Sequence, residues 1–317
     1  MSEFVNGNDE TYTNSSPEQS CRTEIMPKQI IELLDFLKEH ECKDEYQAYE
    51  KFISDVPEED KTKSIDTSFL SDIKDGRLKH FSDRSFEHIR LFNGEEKADD
   101  EIASSISGRL YICPSVENMQ NLTKRIVDSH LLQGTDLICK IAKNMGRNDR
   151  IVIYLTGNFD EEVDLIREIQ NDSPELFAEC RKNKLWCDID GLENVYYGEE
   201  PQNKASSYGE DRARIIGEIF ALQKENIIDS NNEEDLKNAY RLECLKRHIN
   251  PFNWGFYIND DKVSSAADDV LYGLSDVEFQ QETEYKDSCK IVDDWIVNND
   301  KNSNSWLGDN IPEYKGL

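Results

Sequence analysis

Apolar residues recur every three or four positions in several stretches of the chain, a spacing that places them on one face of a helix. This pattern predicts helices at about residues 27–37, 46–52, 115–133, 160–170, 173–180, 207–223 and 233–247. The helix at 115–133 has the clearest ends, because Ser115 is a good N-cap residue and Gly134 stops the helix.

Short β-prone runs lie between these helices, at residues 109–113, 136–142 and 150–155. In the last run, alternation places Ile151, Ile153 and Leu155 on one face and Val152 with Tyr154 on the other. Strands and helices in this order indicate an α+β fold. We expect a mainly antiparallel sheet with packed helices, preceded by a small helical region.

Composition and pattern divide the chain into four segments. Residues 1–25 are rich in Ser, Thr, Asn and Glu and are predicted to be disordered. Residues 26–100 are predicted to form a helical N-terminal region, and residues 101–260 the α+β core, with a polar loop at 192–206. Residues 261–317 are predicted to be an acidic C-terminal helix and tail.

The chain is strongly acidic, which limits its partners. It has 66 Asp and Glu against 37 Lys and Arg, a formal net charge of −29. This balance argues against nucleic-acid binding, which needs clustered positive charge. No apolar run approaches the length of a membrane span, and the N-terminus lacks the pattern of a secretory signal. We expect a cytoplasmic protein without a membrane contact, unless a specialised export route reads its polar start.

Cysteine and glycine patterns predict neither a metal site nor a cofactor. The eight cysteines form no C-x-x-C pair and have no His at metal-ligand spacing, so their thiols are predicted to be free in a reducing cytoplasm. The chain contains no P-loop and no G-x-G-x-x-G sequence.

Against this acidic background, Arg, Lys and Tyr residues gather at the ends of apolar runs. They form three islands, at residues 109–111, 140–154 and 207–214. Positive charge placed at strand and helix ends of an acidic protein is typical of an anion-binding site.

The order and spacing of these residues resemble the HopA family. The matching features are Arg-x-Tyr at 109–111, Lys140, Asp149-Arg150 before a strand that ends near Tyr154, Ser-Tyr-Gly-x-x-Arg-x-Arg at 207–214, and an Arg/His-x-x-x-Pro-aromatic segment at 247–257. The resemblance covers roughly residues 105–260, about half of the chain. The chain departs from the family pattern at Cys113, where Asn is common, and at Tyr208, where Phe is usual.

The HopA family includes a bacterial type III effector and the HopA-like lyases of class V lanthipeptide and thioamitide biosynthesis. The resemblance therefore implies a bacterial lyase. A separate kinase would phosphorylate Ser or Thr of a precursor peptide, and this protein would eliminate the phosphate to leave dehydroalanine or dehydrobutyrine. The alternative is a secreted type III effector or a non-catalytic adaptor that binds a chaperone, a kinase or a host protein.

Elimination of phosphate needs a base for the α-hydrogen, cations around the departing phosphate and a group that steadies the carbonyl. Lys140 is the predicted base, because burial and nearby arginines would both favour its neutral amine. A solvated lysine on an edge strand is the alternative. The predicted phosphate ligands, whose planar guanidinium groups match phosphate oxygens, are Arg109, Arg150, Arg212 and Arg214.

For Arg109 and Arg150 the alternative is a surface ion pair with the abundant acids, and for the helix start at 207–214 it is ordinary helix capping. Arg212 and Arg214 point in different directions on one helix, so one of them is expected to form a salt bridge.

Three tyrosines and one histidine complete the predicted site. Tyr111 is the predicted orienting residue, and Tyr154 and Tyr208 are predicted to act as acids or donors toward the phosphate or the carbonyl. Half-buried core tyrosines are the alternative. His248 is a second candidate acid or base, with the alternative role of a cation at a helix C-terminus.

Overall fold

Seven strands form one antiparallel sheet in the described part of the chain. They are β1 (Leu78–Ser82), β2 (Phe86–Leu91), β3 (Gly108–Ile112), β4 (Leu137–Ala142), β5 (Ile151–Leu155), β6 (Cys187–Asp188) and β7 (Val195–Glu199), and their order across the sheet is β1-β2-β4-β5-β3-β7-β6. The computed structural model describes residues 27–73, 75–181, 184–201, 207–229, 231–250 and 254–257. The segments predicted at 1–25 and 261–317 lie outside these residues.

Eight α-helices accompany the sheet within the described residues. They are α1 (Pro27–Glu39), α2 (Glu45–Ile53), α3 (Phe69–Asp72), α4 (Asp99–Ser105), α5 (Val116–Gln133), α6 (Phe159–Asp172), α7 (Tyr208–Lys224) and α8 (Glu233–Lys246). None of the helices that the structure describes is long and apolar enough to cross a membrane. All described residues belong to one compact unit, which spans residues 1–266.

The α+β class, the antiparallel sheet and the N-terminal helices are confirmed. Strands β3, β4 and β5 lie within one or two residues of the predicted runs. Helix α5 begins after Ser115, whose side chain accepts a hydrogen bond from the Asn118 amide, and ends at Gly134, which has a φ of 68°.

The prediction of a helical region over 26–100 is wrong for residues 78–91, which form the β1–β2 hairpin. β2 pairs with β4 from Phe86 opposite Ala142 to Leu91 opposite Leu137. This pairing joins the N-terminal region to the sheet, so residue 100 is not a structural boundary. β2 packs on β4, which lies far along the chain, so local apolar spacing does not reveal this strand.

Two further predictions are wrong in detail. The polar loop predicted at 192–206 contains β7, whose aromatic residues pair with β3. The helix predicted at 173–180 is a single 3-10 turn at Pro174–Leu176. In both places the long-range packing of the segment decides its structure, because its own apolar pattern is too short to do so.

Side chains alternate between the two faces of the sheet. The first face carries Leu110, Ile153 and Cys139, which lie opposite one another in β3, β5 and β4. Helix α6 covers this face, where Phe159 packs edge-on against Tyr197 of β7 with 5.3 Å between ring centres. The second face carries the polar and aromatic residues of the same strands, including Arg109, Tyr111, Lys140 and Tyr154.

Helix α7 covers part of the second face. Tyr208, its first residue, lies so close to β7 that a Cβ atom on Gly198 would be 2.6 Å from the tyrosine ring. Helix α2 packs along α7, and α1 contacts both α7 and α8. The N-terminal helices therefore extend the cover of the second face beside α7 instead of standing apart from the core.

Candidate functional site

A cavity of about 70 Å³ opens on the second face of the sheet, between β3, β4, the turn before β5, α2 and the start of α7. We call it the cationic cavity, because its polar lining includes Arg109, Lys140 and Arg147. The lining also includes one carboxylate, that of Asp149, and the aromatic or hydroxylic residues Tyr49, Tyr111, Trp186 and Ser207. Arg109, Tyr111 and Lys140 are thus three predicted site residues that the fold brings together.

Arg109 is held by a carboxylate at the end of β7. Its Nε and Nη2 atoms donate to the two oxygens of Glu200, at 2.6 and 2.7 Å. Burial opposes the charge of Arg109, but the neighbouring phenols and Glu200 outweigh it and raise the pKa of Arg109 above its ordinary value. The guanidinium is therefore a fixed positive charge whose Nη1 lies outside the carboxylate pair.

Arg147, in the turn before β5, has the same arrangement. Its Nε and Nη2 atoms donate to Asp149 at 2.7 and 2.8 Å, and it hydrogen-bonds with Tyr49 of α2. Burial again opposes the charge, but the interaction with Asp149 outweighs it and raises the pKa of Arg147. A second guanidinium is thus locked against the cavity wall with a defined orientation.

Lys140 differs from both arginines. Its side chain is half-buried in β4, and no carboxylate of the described residues lies within ion-pair distance of its Nζ atom. The Nζ atom lies 4.2 Å from the ring centre of Phe86 and 6.0 Å from that of Tyr154. Lys140 is thus the one cation of the cavity lining that is not held in an ion pair with a described carboxylate.

Two aromatic rings separate the three cations. The Tyr154 ring lies between Arg109, at 5.1 Å, and Lys140, and the Phe86 ring lies between Lys140 and Arg147, at 5.1 Å from the latter. Aromatic faces attract cations. This alternation lowers the cost of gathering like charges in one small space.

The phenols of the cavity are hydrogen-bond donors at neutral pH. Burial raises the pKa of both Tyr49 and Tyr111 above the ordinary value. The Tyr111 ring is fixed by stacking on Trp186, with 4.2 Å between ring centres, and the hydroxyl of Tyr49 is hydrogen-bonded with that of Ser207.

The start of α7 forms one wall of the cationic cavity. Ser207 caps the helix by accepting a hydrogen bond from the Glu210 amide at 3.3 Å. Gly209 lies against Tyr49, where an added Cβ would approach the ring to 3.2 Å. The positive end of the helix dipole is thereby directed to the same space as the three cations.

Arg150 lies outside the cationic cavity and has a structural role. Its side chain is 1% exposed. Its guanidinium donates to Asp60 and to the carbonyls of Arg147, Pro114 and Met145, at 2.7 to 3.0 Å. These four bonds tie the turn before β5 to the segment before α5, so Arg150 positions Arg147 and does not itself reach the cavity.

Arg212 and Tyr208 are core residues, each 0% exposed. Arg212 donates to the Trp254 carbonyl at 3.1 and 2.9 Å, and its guanidinium lies 3.9 Å from the Tyr208 ring centre. The Tyr208 hydroxyl donates to the same carbonyl at 3.4 Å. Together they fasten the closing segment of the chain to α7, away from the lining of the cationic cavity.

Of the last two predicted residues, Arg214 is half-buried and His248 is exposed. Arg214 forms an i,i+4 ion pair with Glu210, the salt bridge expected for one of the two arginines of α7. His248 is exposed after the end of α8, with a φ of 54°. Neither residue lines the cationic cavity.

Sequence reasoning missed Tyr49, Phe86, Arg147 and Trp186. Arg147 had a usable signal, since it lies in the same turn as the selected Arg150. The other three come from segments distant in sequence. The packing of α2 on α7 brings in Tyr49, the pairing of β2 with β4 brings in Phe86, and stacking on Tyr111 brings in Trp186.

No family model matches the chain, and no curated protein matches it in sequence. Two solved structures are similar to it at 14% sequence identity. One is an effector protein from Pseudomonas syringae pv. tomato strain DC3000, with a TM-score of 0.40, over 79% of this chain and 93% of that chain. The other is an effector protein from Pseudomonas syringae pv. syringae strain 61, with a TM-score of 0.34, over 76% of this chain and 86% of that chain.

Proposed function

We propose that this protein is a lyase that eliminates phosphate from phosphothreonine or phosphoserine of a precursor peptide, leaving dehydrobutyrine or dehydroalanine. The observation that carries the proposal is the convergence of Arg109, Lys140 and Arg147 in one small cavity of a strongly acidic chain. A cluster of this kind fits a polyanionic group, and a phosphoryl group is the commonest one on peptides.

The size of the cationic cavity supports a phosphoryl group over larger anions. Its volume is about 70 Å³, whereas cofactor and nucleotide pockets are several times larger, at roughly 300 Å³ or more. In our proposal the cavity takes the end of a phosphorylated side chain, with the rest of the peptide outside.

Arg109 and Arg147 hold the phosphate from two sides. Each is oriented by a bidentate carboxylate, Glu200 or Asp149, which leaves its Nη1 donors for the ligand. Guanidinium groups keep their charge throughout the reaction, so they stabilise the extra negative charge that the phosphate gains as it leaves.

Lys140 acts as the base. Lys140 first releases a proton to solvent, and its amine then takes the proton from Cα, so that the electrons of the Cα–H bond form the Cα=Cβ double bond. The Cβ–O bond breaks at the same time, and phosphate leaves with its electron pair. The proton then passes from Lys140 to the phosphate or to water, which restores the amine.

The phenol of Tyr111 and the start of α7 stabilise negative charge on the substrate carbonyl oxygen. Tyr111 keeps its proton because burial raises its pKa, and it is held in place by Trp186. A hydrogen bond from this phenol to the carbonyl oxygen stabilises the enolate-like charge that develops when Cα loses its proton. Tyr154 separates Arg109 from Lys140 and serves as a second donor.

The remaining parts of the proposal concern partners. The substrate is a precursor peptide of a ribosomally made natural product, and a separate kinase supplies its phosphate. The reaction takes place in the bacterial cytoplasm, and every step uses a group of the chain itself without a cofactor. Arg150, Arg212, Arg214, Tyr208 and His248 have no part in the chemistry.

A second candidate is a non-catalytic module that binds a phosphorylated partner, in an adaptor or a secreted type III effector. It is favoured by the carboxylate partners of Arg109 and Arg147, which hold the two guanidinium groups in ion pairs before any ligand arrives. Such a module would bind the phosphorylated partner without releasing its phosphate.

Product analysis distinguishes the two candidates. The protein is incubated with phosphothreonyl and phosphoseryl peptides, and inorganic phosphate and peptide mass are measured together. The lyase releases phosphate and leaves a peptide that is one water molecule lighter than the unphosphorylated form. Tight binding without release supports the non-catalytic module, and release that restores the hydroxyl would show a phosphatase and contradict the elimination.

A further inference from the structure

A row of directly opposed residues crosses five strands of the sheet and passes through the cationic cavity. Phe81 of β1 lies opposite His88 of β2, which lies opposite Lys140 of β4. Lys140 lies opposite Val152 of β5, and Val152 lies opposite Tyr111 of β3. Opposed residues of antiparallel strands share a face. The second face of the sheet therefore continues from the cavity to the edge strand β1.

Beyond Lys140 this face is open and consists of cationic and aromatic side chains. Phe81 is 44% exposed, its ring stacks on His88 with 4.8 Å between centres, and the Arg90 guanidinium lies 4.9 Å from the same ring. Lys79 and Ile138 lie opposite Arg90 on either side. We call Lys79, Phe81, His88, Arg90 and Ile138 the cation–aromatic strip.

Two of the three described carboxylates paired with the strip are exchangeable. Lys79 pairs with Glu96 and Arg90 pairs with Asp99, and both acids are more than half exposed. The third, Asp83, pairs with His88 and is also held by the amides of the β1–β2 turn. Ion pairs between exposed groups contribute about 0–1 kcal/mol, so a carboxylate of a bound peptide competes with them at little cost. Arg109 and Arg147 in the cavity, by contrast, are held by bidentate pairs.

We propose that the cation–aromatic strip binds the substrate peptide next to its phosphorylated residue and selects acidic side chains there. This proposal rests on the proposed function and names its substrate more closely. The observation that supports it is that the strip lies on the same face of the sheet as the cationic cavity, and that His88 of the strip lies directly opposite Lys140 of the cavity lining.

Strand spacing gives the positions of the acidic residues. Neighbouring strands lie about 4.8 Å apart, and an extended peptide advances about 3.3 Å per residue. The step from β4 to β1 crosses two strand spacings, or about three peptide residues. Asp or Glu about two to four positions from the phosphorylated residue is therefore in reach of Arg90 and Lys79.

The test compares phosphothreonyl peptides that differ only in this flanking block, which contains either Glu or Gln. KM is measured for wild type, for Arg90→Gln and for a matched control, Arg125→Gln, whose arginine forms a similar exposed pair with Asp172 at 2.9 Å on α5. Wild type and R125Q are expected to prefer the Glu peptide by roughly threefold to tenfold in KM. R90Q is expected to lose most of this preference while kcat stays within about twofold.

The affinity of the protein for unphosphorylated, labelled versions of the same peptides is measured by fluorescence anisotropy, which reports binding to the strip independently of turnover. A Glu preference in anisotropy that R90Q removes supports the strip even if no phosphate is eliminated, in which case only the proposed function fails. Equal KM and equal affinity for the Glu and Gln peptides, or a preference that R90Q leaves unchanged, overturns the strip alone.

The same experiment also tests whether the strip binds a segment of this chain instead of the substrate peptide. Residues 276–294 of this chain are acidic and would suit the strip by charge. A synthetic peptide of that sequence is added as a competitor. If it displaces the Glu peptide from wild type more strongly than from R90Q, and does so at lower concentration than the Glu peptide itself, the strip binds the chain's own segment and the substrate assignment is wrong.

Discussion

Lys140 and Arg147 contact the same aromatic ring: the Nζ atom of the lysine lies 4.2 Å, and the guanidinium carbon of the arginine 5.1 Å, from the centre of Phe86. The ring is buried, so it holds two like charges at a fixed separation. Phe86 is therefore a positioning residue for the two groups that, in our account, remove the proton and hold the phosphate.

Replacing Phe86 by leucine keeps an apolar side chain and removes the aromatic face. Because each cation–π contact contributes about 0.5–2 kcal/mol, we expect F86L to lower kcat/KM by about tenfold while unfolding cooperatively. Phe86→Tyr retains the face and is the matched control. Steady-state kinetics and urea unfolding of both variants test this expectation. Equal kcat/KM for F86L and wild type would contradict the positioning role of Phe86.

Arg109 and Glu200 form a bidentate pair, so the arginine is best tested together with its partner. Arg109→Gln alone removes a phosphate ligand and leaves a half-buried carboxylate. Because charge-assisted hydrogen bonds contribute about 1.5–3 kcal/mol, we expect a tenfold to hundredfold weaker inhibition by inorganic phosphate. The double variant R109Q/E200Q removes the unpaired acid. If it recovers full phosphate inhibition, Arg109 is not a phosphate ligand.

Arg212→Ala is expected to destabilise the fold, and this corrects the view that it is a removable phosphate ligand. Its guanidinium is fully buried against Trp254 and Tyr208, so truncation leaves a cavity and an unpaired carbonyl. A loss of about 2–5 kcal/mol in the free energy of unfolding is expected. Urea unfolding measures it, with Arg214→Ala as the surface control. A folded, fully stable R212A would contradict the structural role.

Asp60 makes stability depend on pH. Burial works to raise its pKa, but hydrogen bonds from Arg150 and Lys63 outweigh it and lower the pKa below the ordinary value. A carboxyl with a lowered folded-state pKa stabilises the protein above its unfolded-state pKa and loses this contribution as pH falls through the folded-state value.

The stability difference between wild type and Asp60→Asn should therefore be full above about pH 5 and shrink below about pH 4. Urea unfolding at several pH values, with the exposed Asp128→Asn as control, measures it. A difference that stays constant down to the lowest pH would count against the Asp60–Arg150 pair.

Close packing of α7 on the sheet is tested at Gly198. An added Cβ would lie 2.6 Å from the Tyr208 ring, so Gly198→Ala is expected to cost about 1–3 kcal/mol. Gly94→Ala is the matched control, because no atom lies within 4 Å of its added Cβ. Thermal unfolding that is the same for both variants would show that α7 does not pack as described.

The sequence predicted the elements with long apolar patterns and missed those made by distant pairing. Helix α5 and strands β3 to β5 follow from periodicity, because each contains enough apolar positions to define one face. Strands β2 and β7 are short and pair with β4 and β3, which lie far along the chain. β1 is a largely exposed edge strand that pairs, among the described strands, only with β2 and has no apolar alternation of its own. Local pattern carries no information about those neighbours.

The same limit applies to the candidate site. Arg109 and Lys140 were identifiable because they interrupt β-prone runs, and the fold brings both to the cationic cavity. Arg150 and Arg212 look alike in sequence, yet their donors bind carbonyls of the chain. Whether an arginine serves a ligand or the fold depends on which backbone oxygens lie around it, and only tertiary packing decides that.

The central claim is that Lys140 removes the α-proton, and the most direct measurement is the rate at which Lys140→Met forms the dehydrated peptide from a phosphothreonyl peptide. Methionine keeps the apolar stem against Phe86 and lacks the amine. The exposed Lys124→Met is the control for loss of charge. We predict that K140M loses at least about a hundredfold in kcat with unchanged unfolding, while K124M keeps the wild-type rate. A K140M protein that eliminates phosphate at the wild-type rate would contradict the account.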